Sequence, residues 1–134
     1  MFVVDGLEYC CAEQYMMSEK AKLFGDYKTF DQIMSTSNPK KHKELGRKVS
    51  NFNAKVWDDC ALDIVIKGNT HKFQQNHGMR QKLQLTGNKT LVEASPFDNI
   101  WGIGMSRRNK DICDTSKWGQ NKLGNALMKV RDIL

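Results

Sequence analysis

No apolar run in this 134-residue sequence approaches the roughly 20 residues that a membrane-spanning helix needs. The start, Met1-Phe2-Val3-Val4-Asp5-Gly6, has neither the basic n-region nor the apolar h-region of a secretory signal. A soluble, cytoplasmic chain with no membrane partner is the expectation. Four cysteines, Cys10, Cys11, Cys60 and Cys113, contain no C-x-x-C pair and have no histidine at zinc-finger spacing, so reduced thiols without a metal are expected. His42, His71 and His77 are scattered, and the last two are spaced wrongly for one helical face. Internal repeats, linkers and low-complexity tracts are missing. So are a zinc finger, an aromatic RNP pattern and a helix-turn-helix, which removes sequence-specific reading of nucleic acid from the function classes. The length allows one domain, 1–134, with one core and one principal site, and no separate cofactor domain; no cofactor is expected.

What is present is ordinary in bulk, 40% hydrophobic and 27% charged, with a formal net charge of +6 that favours polyanionic partners. The densest basic run is Lys40-Lys41-His42-Lys43, followed by Arg47 and Lys48. On a helix these residues spread around much of the circumference, so they read as a solvated face.

The patterning predicts a mainly α protein with a few short strands. Asp5-Gly6 is a hairpin turn within Phe2 to Leu7. Ala12 to Phe24 has no Gly or Pro and is rich in helix formers, stopping near Gly25. Asp26 caps a second helix to about Ser35, and Asn38-Pro39 opens a third that weakens at Gly46. The longest helix is expected from about Asn53 to Asn76, bent or interrupted at Gly68, followed by a shorter one from His77 to Leu85. Thr90 to Ala94 reads as a strand, Ser106 to Lys117 as irregular. A final helix from about Gln120 carries Leu123, Leu127, Val130 and Leu134 on one stripe.

The segment from Leu91 through Ser95-Pro96-Phe97-Asp98-Asn99-Ile100-Trp101-Gly102-Ile103-Gly104 combines a proline turn, a carboxylate, an indole and two glycines. A nucleotide site can use each: Trp101 as a flat face for a base, Gly102 and Gly104 for backbone approach to phosphate or sugar, and Asp98 against positive charge on a ribose carbon. The alternative is a turn whose tryptophan fills the core. On the first helix, Glu13 and Lys20 lie seven residues apart, hence on one face about 10 Å apart. They are either solvated surface charge or, beside Met16, Met17 and Phe24, part of a pocket wall.

Several motifs occur in order: Ala12-Glu13-Gln14-Tyr15 through Lys20 to Phe24; Leu45-Gly46-Arg47; Trp57; Lys72-Phe73; Leu91 to Asp98; Trp101 to Gly104; and Gly119-Gln120-Asn121-Lys122 to Met128. Together they resemble the NADAR, or YbiA-like, family from about Val3 to the C-terminus. The resemblance implies a compact, mainly helical fold and cleavage of an N-glycosidic bond between a ribose and a base, as in phosphoribosylated riboflavin intermediates or ADP-ribosylated guanine. It implies that Glu13 and Asp98 are acidic site residues, that Trp57 and Trp101 are the tryptophans of the pattern, and that Lys20 is the lysine linked in some members to a Schiff base. Family members usually carry an aromatic- and Ser-Asn-Phe-containing stretch ahead of the segment matching Val3 to Gly6, and the sequence starts at Met1 without one.

Breaking a ribosyl C–N bond generates an oxocarbenium-like sugar that a carboxylate stabilises. Two routes are open: water activated by Glu13 or Asp98, or attack by Lys20 as a neutral amine, its pKa lowered by burial or by Lys22 or Arg47. Arg47 can equally hold phosphate, Asn121 can donate to phosphate or ribose at the start of the last helix, and Trp57 can stack or pack. The partner is a nucleotide-like small molecule or ADP-ribosylated nucleic acid, whose base must reach the site unstacked. The rivals are a non-catalytic module binding NAD or ADP-ribose and a basic nucleic-acid-associated protein.

Overall fold

In the computed structural model, which describes residues 1–134, the Asp5-Gly6 turn joins β1 (Phe2–Val4) to β2 (Leu7–Tyr9) as an antiparallel pair, with Phe2 opposite Tyr9. Both turn residues take positive φ, 50° and 83°, the twist that a two-residue hairpin needs. The helices follow as α1 (Ala12–Leu23), α2 (Tyr27–Met34), α3 (Pro39–Gly46), α4 (Ala54–Gln75), α5 (His77–Leu85) and α6 (Lys122–Ile133), with a short 3-10 turn at Thr115–Lys117. The expected mainly helical fold with short strands is what forms. No helix is long and apolar enough to cross a membrane. The chain divides into two compact units, Met1–Arg80 and Gln81–Leu134.

In the first unit the expected caps are in place. The Asp26 side chain accepts from the Thr29 N–H, and the Asn38 side chain from the Lys40 N–H. Asn53 accepts from the N–H groups of Lys55 and Val56. Helix α1 packs against two clusters: Met17 and Ala21 join Ile33, Leu45 and Val49, while Tyr15 joins Phe2, Val4 and Tyr9. The Tyr15 ring meets Tyr9 edge-on at 5.1 Å. The basic run on α3 turns out divided. Its lysines are exposed, as expected of a solvated face, but His42 is fully buried.

Gly68 neither bends nor interrupts α4, which runs unbroken from Ala54 to Gln75. The glycine is there for close approach: a Cβ at this position would collide with the Tyr15 ring.

In the second unit, Ala126 and Val130 are fully buried on α6, and Leu123, Leu127 and Leu134 flank them half-buried, so the predicted stripe is the packed face. The expected strand over Thr90 to Ala94 does not form. No second strand lies beside it; its backbone is held instead by a side chain, Asn121, which accepts from Glu93 N–H (3.0 Å) and donates to the Leu91 carbonyl (2.9 Å). β-propensity alone gives an extended segment, and a ladder needs a partner.

Gly68→Ala gains about 1 kcal/mol of helix propensity but must displace Tyr15, which costs about 1–3 kcal/mol. Urea unfolding should show it less stable than the parent. Gly78→Ala, where a Cβ meets nothing within 4 Å, should be neutral or stabilising.

Candidate functional site

Lys20 is the best-defined element of the site. It sits half-buried in the last turn of α1, with its ammonium 4.6 Å from the Phe52 ring centroid and 5.5 Å from that of Trp57. Burial pushes its pKa down, and the positive charge of Arg47 pushes it further the same way. No carboxylate lies within salt-bridge distance of it, whereas Lys22 is paired with Glu19 at 3.3 Å. Of the two cations that sequence reasoning offered as neighbours, Arg47 acts on Lys20 and Lys22 does not. An amine with little water and no counter-ion is held closer to its neutral, nucleophilic form.

Phe52 was not foreseen. It stands immediately before the Asn53 cap, and Trp57 is the fourth helical residue beyond that cap, so the two occupy the staple positions that close the entry to a helix. The Asn53 N-cap is the signal that could have found it. Trp57 is 8% exposed and serves chiefly as wall; Phe52, 47% exposed, presents the open aromatic face.

The loop that carries Phe52 is tethered by Asp26. Its carboxylate accepts from Ser50 N–H (2.9 Å) and from the Thr29 N–H (3.1 Å) and hydroxyl (2.6 Å). The Ser50 bond first, then the two from Thr29, hold its pKa down to about 2.

Glu13 lies in the first turn of α1, half-buried, and makes no hydrogen bond or ion pair within the protein. Both Glu13 and Lys20 fall inside the observed helix, so their seven-residue separation puts them on one face about 10 Å apart along the axis. Arg47 caps the C-terminal end of α3, exposed and unpaired.

In the second unit the predicted residues are knitted into the fold. One oxygen of Asp98, Oδ1, accepts from the N–H groups of Ile100 and Trp101, both at 2.9 Å, and so builds the turn. Trp101 is half-buried, with the Lys122 ammonium 5.7 Å from its ring centroid. Gly102 is required by packing, since a Cβ would stand 2.7 Å from the Asp98 carbonyl oxygen and 2.8 Å from that of Glu93. Gly104 takes a φ of 76° and donates its N–H to the Asp98 carbonyl.

The N–H groups of Gly119, Gln120, Asn121, Lys122 and Leu123 donate to the carbonyls of Ile103, Asn99, Gly102, Ile100 and Trp101 respectively. The first donors of α6 are therefore occupied. Asn121, left-handed at φ 52° and buried, clamps Leu91 and Glu93. One of its two side-chain N–H donors and its carbonyl oxygen are thus engaged by the fold, which gives Asn121 a structural task beside the phosphate- or ribose-binding role expected of it. A separate cluster, Cys10, Cys11 and His42, brings together groups able to hold a metal.

A family model, the NADAR domain, matches residues 2–134. The chain belongs to the NADAR family. N-glycosidase R617 of Acanthamoeba polyphaga mimivirus is 52% identical over 126 residues, covering 93% of this chain and 74% of that protein. N-glycosidase YbiA of Escherichia coli strain K12 is 30% identical over 131 residues, covering 98% of this chain and 74% of that one. The NMR structure of the Escherichia coli protein YbiA superimposes with a TM-score of 0.78 at 29% identity, covering 98% of this chain and 71% of the other.

Asp26 carries a pH prediction. Its folded pKa lies below the unfolded value, so the stabilisation is present above about pH 4 and is lost as the pH falls through about 2. Asp26→Asn should be less stable than the parent at pH 7, with urea midpoints converging as the pH is lowered across that window. Asn121→Ala should lose about 1–3 kcal/mol through the unsatisfied Glu93 and Leu91 groups, readable in the same assay.

Proposed function

We propose that this chain is an N-glycosidase that hydrolyses the ribose C1′–N bond of a ribosyl or ADP-ribosyl base, with Lys20 as nucleophile and Glu13 as acid and base. Its substrate is a nucleotide-like small molecule, such as a phosphoribosyl aminopyrimidine, or ADP-ribosylated guanine in nucleic acid. The names of two relatives, both N-glycosidases, support the reaction class. The observation that carries the mechanism is the Lys20 ammonium, faced by Phe52 and Trp57 with Arg47 as its charged neighbour and no carboxylate to stabilise it.

Neutral Lys20 attacks C1′ and the C1′–N bond breaks. Its electron pair goes to the base nitrogen, which takes a proton from the Glu13 carboxyl. One proton of Nζ passes to O4′ as the C1′–O4′ bond opens, which leaves a protonated imine between Nζ and C1′. Water then adds at C1′ while Glu13 accepts one of its protons; the proton of the new hydroxyl passes to nitrogen, the C1′–N bond breaks, and neutral Lys20 and the sugar aldehyde are released. The exposed fork of Arg47 suits a substrate phosphate. Asp98 and Trp101 are carried into the proposal by the family pattern alone.

The test is incubation with an ADP-ribosylated guanine oligonucleotide and with a phosphoribosyl aminopyrimidine, followed by mass spectrometry of the released base. Glu13→Gln should lower turnover by about 10²–10⁴-fold, and borohydride should trap a sugar adduct on Lys20. Arg47→Ala removes a cation that depresses the amine, so the rise of rate with pH should move to higher pH. Full activity in Glu13→Gln would sink the proposal. Turnover by Lys20→Arg would replace the imine by direct hydrolysis, and ADP-ribose binding without product would make the chain a reader.

A further inference from the structure

Cys10 follows directly on β2 and Cys11 caps the start of α1, and the chain bends between these elements. In an extended strand adjacent side chains point to opposite faces. Here the bend turns both thiols to one side, with Sγ atoms 3.7 Å apart. His42 enters from α3, fully buried, with Nδ1 3.6 Å from the Cys11 Sγ. All the potential ligand atoms lie within 4.8 Å of one another.

The imidazole is oriented for ligation. Its Nε2 lies 2.6 Å from the Thr36 carbonyl oxygen, which only accepts, so Nε2 carries a proton and the lone pair of Nδ1 faces the sulfurs. A backbone carbonyl on the far nitrogen is the usual support of a metal-bound histidine. The Cys10–Cys11 and Cys11–His42 separations also fit. A tetrahedral zinc with bonds of about 2.3 Å to sulfur and about 2.0–2.1 Å to nitrogen sets S···S near about 3.8 Å and S···N near about 3.6 Å. Burial and the neighbouring thiol push the Cys10 pKa up.

We infer that Cys10, Cys11 and His42 form a binding site for a thiophilic divalent cation of the zinc class, which displaces the two thiol protons. Two thiolates and a neutral imidazole balance the charge of the ion, and the fourth position is left to water. The site goes beyond the glycosidase reaction. It ties the N-cap of α1 to α3, nine residues and about 13 Å along the axis from Lys20. The 31-position separation of Cys11 and His42 hides it from any spacing rule.

The test is titration of the reduced full chain with Co²⁺ and then Zn²⁺. One Co²⁺ per chain should bind, with thiolate-to-cobalt charge-transfer absorption and the intense visible bands of tetrahedral cobalt, and with two protons released; Zn²⁺ should bleach the spectrum and raise the melting temperature. Cys11→Ser and Cys10→Ser should each weaken binding more than about 100-fold, while Cys60→Ser and Cys113→Ser leave it unchanged. Circular dichroism confirms that each variant is folded, and the half-buried Cys10 supplies a second variant should Cys11→Ser unfold. No charge-transfer band at equimolar Co²⁺, or one that survives in folded Cys10→Ser and Cys11→Ser, would overturn the inference, since neither thiolate would then be a ligand.

Discussion

Helix α1 is buried along two sides, and most of the first unit follows from that. Met17 and Ala21 close against Ile33, Leu45 and Val49, while Tyr15 closes against Phe2, Val4 and Tyr9. An α-helix has room for one more stripe, and it holds Glu13, Met16 and Lys20, all half-buried. A lysine there is partly dehydrated by the packing of its own helix. The chemistry proposed for Lys20 is thus a by-product of core packing, sharpened by Phe52, Trp57 and Arg47.

The same economy of polar groups governs the loops. Asp26 caps α2 and with its remaining capacity anchors Ser50, which sets the position of Phe52 two residues later. In the second unit, carbonyls from Asn99 to Ile103 satisfy the N–H groups from Gly119 to Leu123, and Asn121 satisfies Leu91 and Glu93. Buried backbone groups must be paired, so the backbone N–H groups at the start of α6 are here consumed by the fold. Asp98 keeps only Oδ2 outside this network.

The helices were legible because their signals are local. Asp26, Asn38-Pro39 and Asn53 mark starts through bonds to residues two or three positions on. The stripe of α6 is likewise written in consecutive turns. Thr90 to Ala94 failed for the opposite reason: its chemistry suits a strand, but strand formation depends on a neighbour that the segment itself does not encode. Gly68 was read as a break because glycine is weak in helices, yet it is kept for the Tyr15 ring, a contact between α1 and α4. Among the site residues, Glu13 and Lys20 could be placed on one helical face; the counter-ion status of Lys20 and the presence of Phe52 could not.

Sequence by itself determined the family, the helical order, the caps and the one face that joins Glu13 to Lys20, since all of these rest on local periodicity or on ordered motifs. Only tertiary structure decided that Asn121 clamps the chain, that His42 leaves a run of exposed lysines to turn its Nδ1 toward Cys11, and that Lys20 has aromatic rings for neighbours. Each of those joins residues far apart along the chain, and such pairings are set by which surfaces exclude water together, a property that no single segment carries.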